Sequence, residues 1–303
     1  MLGASLVFAV ILWGGNNVGT KWLVNWWPPS WTGGTRFLCA GLLLLGILRW
    51  TNWLGSCHRL TPALKRKLWF RGGLSLAAYI ISFNWALKCT AASRVVLFLG
   101  MSPVWALLWE GVPGRSWRTA QRYAAAFLAL SGVGVLVWPA LHASNDRMNL
   151  YGDGLALLAS VLWTNFSRQC RVLGADLSSA EVSAHAMWRA GMWLMPLAIF
   201  EFSQHHIPFD AKLLLVQFYC IVAGGVVAFG FWSNGLRHWP TSRVMLFNNL
   251  IPLSTMTWEY FCLGEAVTRS FWIAMFLIAA GVILGQTKLR RAGGSPALAQ
   301  PEL

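Results

Sequence analysis

Charge is what this chain has least of. Of its 303 residues, 11% are charged and ten are acidic. Soluble domains carry about 25% charged residues, so a water-facing shell cannot be made from this supply. None of the acidic residues falls clearly in the middle of a long apolar run. Proton-driven carriers use an intramembrane carboxylate or His as a relay. His185 is the one residue left for that role, and a neutral packed histidine accounts for it equally well. A cationic cargo would want a central carboxylate, and a phosphate cargo several basic groups at mid-depth; both are missing. Catalytic signatures are missing too. There is no HExxH, no GxSxG, no P-loop and no Gly-rich dinucleotide turn after a strand. These absences set an enzyme aside and ask for no metal or cofactor. The six cysteines show no CxxC spacing, which reads as small apolar packing residues.

Apolar residues are there in excess: 56% of the chain, 20 of them Trp, with a mean hydropathy of +0.53. A helix needs about 20 apolar residues to cross the hydrocarbon core. Ten runs approach that length, at 3–24, 31–50, 68–87, 93–111, 119–138, 151–171, 181–202, 213–236, 242–262 and 268–287. The expectation is an all-α integral membrane protein of ten spans, with the first run a span and not a cleaved leader. The net charge of +14 sits in the gaps between runs, a pattern that sets orientation and does not suit nucleic acid. Gaps after even-numbered runs, with the C-terminal tail, hold about 16 basic residues against about five on the other side, which places both termini in the cytoplasm. "LKRKLWFR" at 64–71 is the strongest single element of that bias. Ser178 and Glu181 have capping-box spacing before the seventh run, and Ser93 and Ser242 stand where N-caps would stand.

The chain also repeats itself. Arg243 minus Arg94 is 149, and at that shift Ser93-Arg94-Val95 meets Ser242-Arg243-Val244, Pro103 meets Pro252, and Trp109-Glu110 meets Trp258-Glu259. Trp13 meets Trp163 at a shift of 150 and Arg36 meets Arg189 at 153. Residues 1–140 and 141–288 then form two five-span halves, with 289–303 a disordered cytoplasmic tail. An odd span count makes the halves enter the bilayer in opposite directions, an arrangement that transporters use for alternating access.

The repeated fourth and ninth runs, "ASRVVLFLGMSPVWALLWE" and "TSRVMLFNNLIPLSTMTWE", carry helix-distorting Pro103 and Pro252 near mid-depth. A proline displaces the carbonyl four residues earlier, here Leu99 and Asn248. Freed polar backbone is costly in lipid, so it faces either a cavity or a packing kink bridged by side chains. Asn16, Asn17, Asn84, Asn165, Asn248 and Asn249 supply neutral polar groups within spans, and Tyr79, Phe83, Met101 and Trp163 an adaptable apolar lining. Arg36 and Arg189 are the deepest paired cations. Each reads either as functional or as bonded to carbonyls at helix ends. Arg94, Arg243, Glu110 and Glu259, at the ends of runs four and nine, are candidate gate or structural charges.

These features, with "LWGGNNVGTKWL", "TRFLCAGLLLL" and "GEAVTRSFWIAMFLIAAGVIL", resemble the drug/metabolite transporter superfamily, EamA type, over nearly the whole chain. Gly264-Glu265 departs from the pattern, since the first half has Arg115-Ser116 there. The resemblance implies the ten-span inverted-repeat fold and a cavity among spans 1, 3, 4, 6, 8 and 9. Its Trp-rich sequence is similar to the aromatic amino-acid exporters of that superfamily. The implied activity is export of aromatic and other neutral amino acids such as Met across the bacterial inner membrane, by a monomer without obligatory proton coupling. Other small metabolites or drugs remain the alternative cargo, and a membrane enzyme the more distant one.

Overall fold

A computed structural model describes residues 2–51, 57–90, 92–110, 117–142, 147–205, 207–263 and 269–286; the side chains of Arg94 and Glu110, and the stretch with Gly264-Glu265, lie outside the described residues. All regular structure among the described residues is helical. In chain order the elements are α1 (Leu2–Trp26), α2 (Pro29–Trp50), α3 (Pro62–Lys67), α4 (Leu74–Cys89), α5 (Ala92–Leu99), α6 (Ser102–Glu110) and α7 (Trp117–His142). They continue with α8 (Arg147–Leu173), α9 (Ser179–Gln204), α10 (Ala211–Tyr219), α11 (Ala228–His238), α12 (Thr241–Met245), α13 (Ile251–Leu263) and α14 (Arg269–Gln286).

Helix starts follow local chemistry. Pro29 opens α2, where a missing N–H costs nothing. Ser178 and Glu181 make a full capping box on α9. Before α12 the cap position is Pro240, with Ser242 already inside the helix, so the hydroxyl cap expected there is not used. Among the described residues, three helical stretches are long and apolar enough to cross a membrane by length and composition: Leu2–Trp26, Pro29–Trp50 and Ala211–His238. The other sequence runs fall short of that measure for visible reasons. The fourth is cut in two at Gly100–Met101 and the ninth is divided by a 3-10 turn, Leu246–Leu250. The seventh carries Glu181, His185, Arg189 and Glu201.

Irregular turns occur in matched places. A π-turn, Leu68–Gly73, joins α3 to α4, and another, Cys220–Val227, joins α10 to α11; each contains a Gly-Gly pair, Gly72-Gly73 and Gly224-Gly225. Packing is matched as well. α4 packs on α8 as α1 packs on α11; the first π-turn packs on α9 as the second packs on α2; α6 packs on α8 as α13 packs on α1. The most extensive contacts are α2 with α9 and α7 with α14.

The α2–α9 pair forms the frame on which the site rests. Its close crossing is set by two glycines. A Cβ at Gly41 would meet the backbone N of Trp188 at 2.2 Å, and one at Gly191 would meet Leu38 N and Cβ at 2.6 Å. Small residues at such a crossing let helix backbones approach. Carboxylates of α9 fasten the start of α2 and the segment that follows α2. Buried Glu201 accepts from Ser30 N at 2.9 Å, Ser30 Oγ at 2.8 Å and Trp31 N at 3.3 Å, capping α2 from outside. Glu181, at the opposite end, accepts from His58 N at 2.6 Å and lies 3.0 Å from His58 Nδ1. Ser30 meets Glu201, Leu38 meets Gly191 and Gly41 meets Trp188, in opposite sequence order, so α2 and α9 are antiparallel. Of the cysteines, Cys170 and Cys220 are buried as apolar packing residues, whereas Cys39 and Cys262 are exposed; the expectation of burial does not extend to those two.

Candidate functional site

α1, α2, α4, α5, α8, α11 and α13 meet around a small internal cavity. Its walls are Trp13, Asn16 and Asn17 from α1; Arg36 and Phe37 from α2; Tyr79 and Phe83 from α4; and Leu99, Trp163, Phe229 and Ile251. The free volume is about 30 Å³, room for about one water molecule. Aromatic rings fill the rest. Trp163 stands edge-on to its repeat mate Trp13 at 5.4 Å and to Phe229 at 5.8 Å, and tilted against Tyr79 at 5.0 Å. Such edge and tilted arrangements are the preferred ones for π systems.

Local irregularity supplies the polar groups. The π-turn before α11 frees the carbonyl of Gly224, which accepts from Trp13 Nε1 at 3.0 Å. Turns of this type inside helices occur at functional sites. A Cβ at Gly224 would sit 2.4 Å from Asn16 Oδ1, so glycine is what lets Asn16 approach. That oxygen accepts from Arg36 Nη1 at 3.2 Å, and Thr20 Oγ1 accepts from the same nitrogen at 2.8 Å. Asn17 Nδ2 donates to Thr255 Oγ1 at 3.2 Å, linking α1 to α13. Arg36 is 4% exposed, its Nε has no partner, and its guanidinium lies 4.5 Å from the Phe37 ring centre.

The structure therefore brings Asn16, Asn17, Tyr79, Phe83 and Trp163 to the cavity, together with Arg36. Asn84, Met101, Asn165, Asn248 and Asn249 do not line it. Asn84 Nδ2 donates to Pro29 O at 2.9 Å and ties α4 to α2. Asn165 accepts from Gln169 Nε2 along α8 at 3.5 Å, and Met101 occupies the turn between α5 and α6. Asn248 and Asn249 are fully buried in the 3-10 turn; Asn248 Oδ1 and both polar atoms of the Asn249 side chain have no partner. The carbonyls displaced near Pro103 and Pro252 do not open onto the cavity. Leu99 O accepts from Ser102 Oγ at 2.6 Å, and Asn248 O from the backbone N of Ile251. A serine and a tightened turn satisfy them locally. Arg189, the repeat mate of Arg36, lies over Trp188 at 4.3 Å and Trp69 at 5.5 Å, and Nη1 donates to His185 O. Arg243 lies over Trp239 at 4.0 Å. Glu259 stands within electrostatic reach of Lys21.

Sequence reasoning passed over Trp13, Phe37, Phe229 and Ile251 as lining, and named Leu99 only for its displaced carbonyl. Only Trp13 left a signal, its match to Trp163.

Two cationic latches flank the site. Lys21 Nζ, on α1, donates to Leu87 O at 2.6 Å and Thr90 O at 3.0 Å, while Lys88 Nζ, on α4, donates back to Val24 O at 2.8 Å. Each lysine thus caps the C-terminal carbonyls of the other's helix, where positive charge is favoured. At shifts of 150 and 149 the same positions are Arg171 and Arg237. Arg171 Nη1 donates to Trp239 O, the mate of Thr90, and the Arg237 stem lies beside Gly174, the mate of Val24.

Two wider spaces lie elsewhere. One of about 300 Å³ is bounded by Trp109, Arg168, Gln169, Arg171, Pro240 and Thr241. The other, about 560 Å³, is an apolar groove between α1, α10 and α13, with Trp22, Tyr219 and Trp258 among its walls and Lys212 at its rim.

Known proteins match the chain along nearly its full length. The model of the EamA-like transporter family fits residues 1–138 and 150–285. An uncharacterised transporter of Archaeoglobus fulgidus is 23% identical over 93% of this chain and 96% of its own. The uncharacterised transporter YvbV of Bacillus subtilis is 25% identical over 93% of this chain and 90% of its own. One solved crystal structure superposes with a TM-score of 0.76 at 18% identity, over 96% of this chain and 98% of that one. At that identity it speaks for the fold alone, while the family match covers both stretches in which the cavity walls lie: the chain belongs to the EamA-like transporter family.

Proposed function

We propose that the protein exports neutral amino acids with aromatic or thioether side chains across the bacterial inner membrane, by alternating access between two inverted five-span halves. Both termini are cytoplasmic on this reading, and a monomer suffices. The observation that carries it is the cavity among Trp13, Asn16, Arg36, Tyr79 and Trp163, at the place where the matched contacts of the two family-matched stretches converge. Two similar halves can rock against one another around such a point.

On the ten-span reading the Lys21–Lys88 latch lies at the outer face and the Arg171–Arg237 positions at the inner face. The outer latch is closed in both directions. The inner one is made by Arg171 alone and borders the 300 Å³ space. Ligand sites for small molecules measure about 300–1,000 Å³, so a cavity of about 30 Å³ is the contracted form. Cargo enters by parting the halves and displacing aromatic side chains, Trp163 first. The apolar groove beside α10 is larger but offers no converging polar groups, only Lys212 at its rim. Without a carboxylate in the cavity wall, flux follows the cargo gradient.

The test is uptake of labelled neutral amino acids by proteoliposomes of the full chain, with and without a proton gradient. Phe, Trp, Tyr or Met is expected to move in both conditions. No transport of any neutral amino acid would sink the reading.

A further inference from the structure

We infer that Arg36 is the carboxylate anchor of the central cavity, and that the feature required of the cargo is a single carboxylate on an apolar body, not an ammonium group. This rests on the central cavity being the cargo site. A buried guanidinium without a counter-ion is expensive in the membrane interior, so such a group needs either a structural partner or a ligand. Arg36 has no acid beside it among the described residues: the ionisable groups nearest it are Cys220 and Tyr79. Its partners are neutral: Asn16 Oδ1 and Thr20 Oγ1 accept from Nη1, the Cys220 thiol lies within hydrogen-bonding reach of the guanidinium, and Nε is left buried and unpaired on the cavity wall.

The repeat mate, Arg189, is placed differently. Its Nε is unpaired too, but its guanidinium lies over Trp188 and Trp69, Nη1 donates to His185 O, and it stands away from the cavity. Arg36 has one ring, Phe37, on one side. A carboxylate suits the forked guanidinium and would pair with it through charge-assisted hydrogen bonds. The remaining walls are Trp13, Phe37, Phe83, Trp163 and Phe229, which fit an aryl or alkyl body. No wall residue is acidic, so no ion pair in the cavity selects for an amine, and aromatic faces alone hold a cation more weakly than a carboxylate would.

The experiment is calorimetric binding of three ligands to the purified full chain: L-phenylalanine, 3-phenylpropionate, which lacks the amine, and phenethylamine, which lacks the carboxylate. The acid is expected to bind within tenfold of phenylalanine, and the amine at least a hundredfold more weakly than either. Arg36→Gln is expected to weaken both carboxylates at least thirtyfold, and Arg36→Lys less, because the ammonium keeps the charge but loses the fork. Should Arg36→Gln fail to fold, Arg36→Lys and the wild-type ligand series decide. Phenethylamine binding as well as phenylalanine overturns the inference while leaving amino-acid export standing. So does undiminished phenylalanine binding to folded Arg36→Gln. Binding of 3-phenylpropionate without phenylalanine upholds the anchor and removes the amino-acid reading. Binding of neither carboxylate overturns the anchor.

Discussion

The glycine crossing of α2 and α9 allows a quantitative test of the frame. A methyl at Gly41 would be 2.2 Å from Trp188 N and 2.8 Å from Trp188 Cα; one at Gly191 would be 2.7 Å from Leu38 Cα. These obstacles are backbone, so no rotamer change relieves them. Reaching ordinary contact needs the helices to part by roughly 1 Å, in an interior that is close-packed. Overpacking of this kind costs about 1–3 kcal/mol, and each single alanine variant is expected to lose that much. Leu38 and Gly41 lie one turn apart on α2, as do Trp188 and Gly191 on α9, so both substitutions load the same crossing. Once one has parted the helices, the second meets open space. The double variant is therefore expected to cost little more than the worse single one, with a coupling of about 1 kcal/mol or more, whereas independent sites add to within about 0.5 kcal/mol. Reversible unfolding of the four proteins in mixed micelles measures this cycle. Additive losses, or a single variant as stable as the parent, would refute the reasoning.

Three further outcomes follow. Trp163→Phe keeps a ring but removes part of the cavity roof, and is expected to change transport at least tenfold, whereas Asn165→Ala on the same helix leaves it within twofold; equal effects would remove Trp163 from the site. Lys21→Met frees the carbonyls of Leu87 and Thr90 and is expected to shift the transport rate several-fold at unchanged cargo affinity; an unaltered rate would show that the latch does not gate. Collapsing the proton gradient at fixed cargo gradient is expected to leave initial rates unchanged, and a sharp loss in proteoliposomes would reveal a relay that His185 or another group supplies.

Depth was legible in the residues, and facing was not. Asn16, Asn84 and Asn165 all interrupt apolar runs, and nothing local distinguishes the one at the cavity from the one bonded to Pro29 O or the one that accepts from Gln169 along α8. Which way a helix turns depends on neighbours distant in sequence, such as Gly224 against Asn16. Pro103 and Pro252 did mark the two interrupted runs, because a missing N–H acts locally. The fate of the freed carbonyls depended on Ser102 and on a 3-10 turn, each a short-range alternative to a cavity. Arg36 and Arg189 looked alike as deep cations. Each keeps an unpaired Nε; the difference lies in tertiary placement, Arg189 over Trp69 and Trp188 and Arg36 on the cavity wall. The two π-turns had no sign beyond a Gly-Gly pair, since an extra residue in a helical turn is accommodated by packing on α9 and α2.

The acceptors for Lys21 and Lys88 are peptide oxygens, and a peptide oxygen does not mutate. The fastening makes no demand on the side chains of Val24, Leu87 and Thr90, which answer only to their packing, provided a long cation stays at the two lysine positions. Comparisons that seek compensating pairs of substitutions would pass over such a contact in silence, because only one of its partners is able to vary.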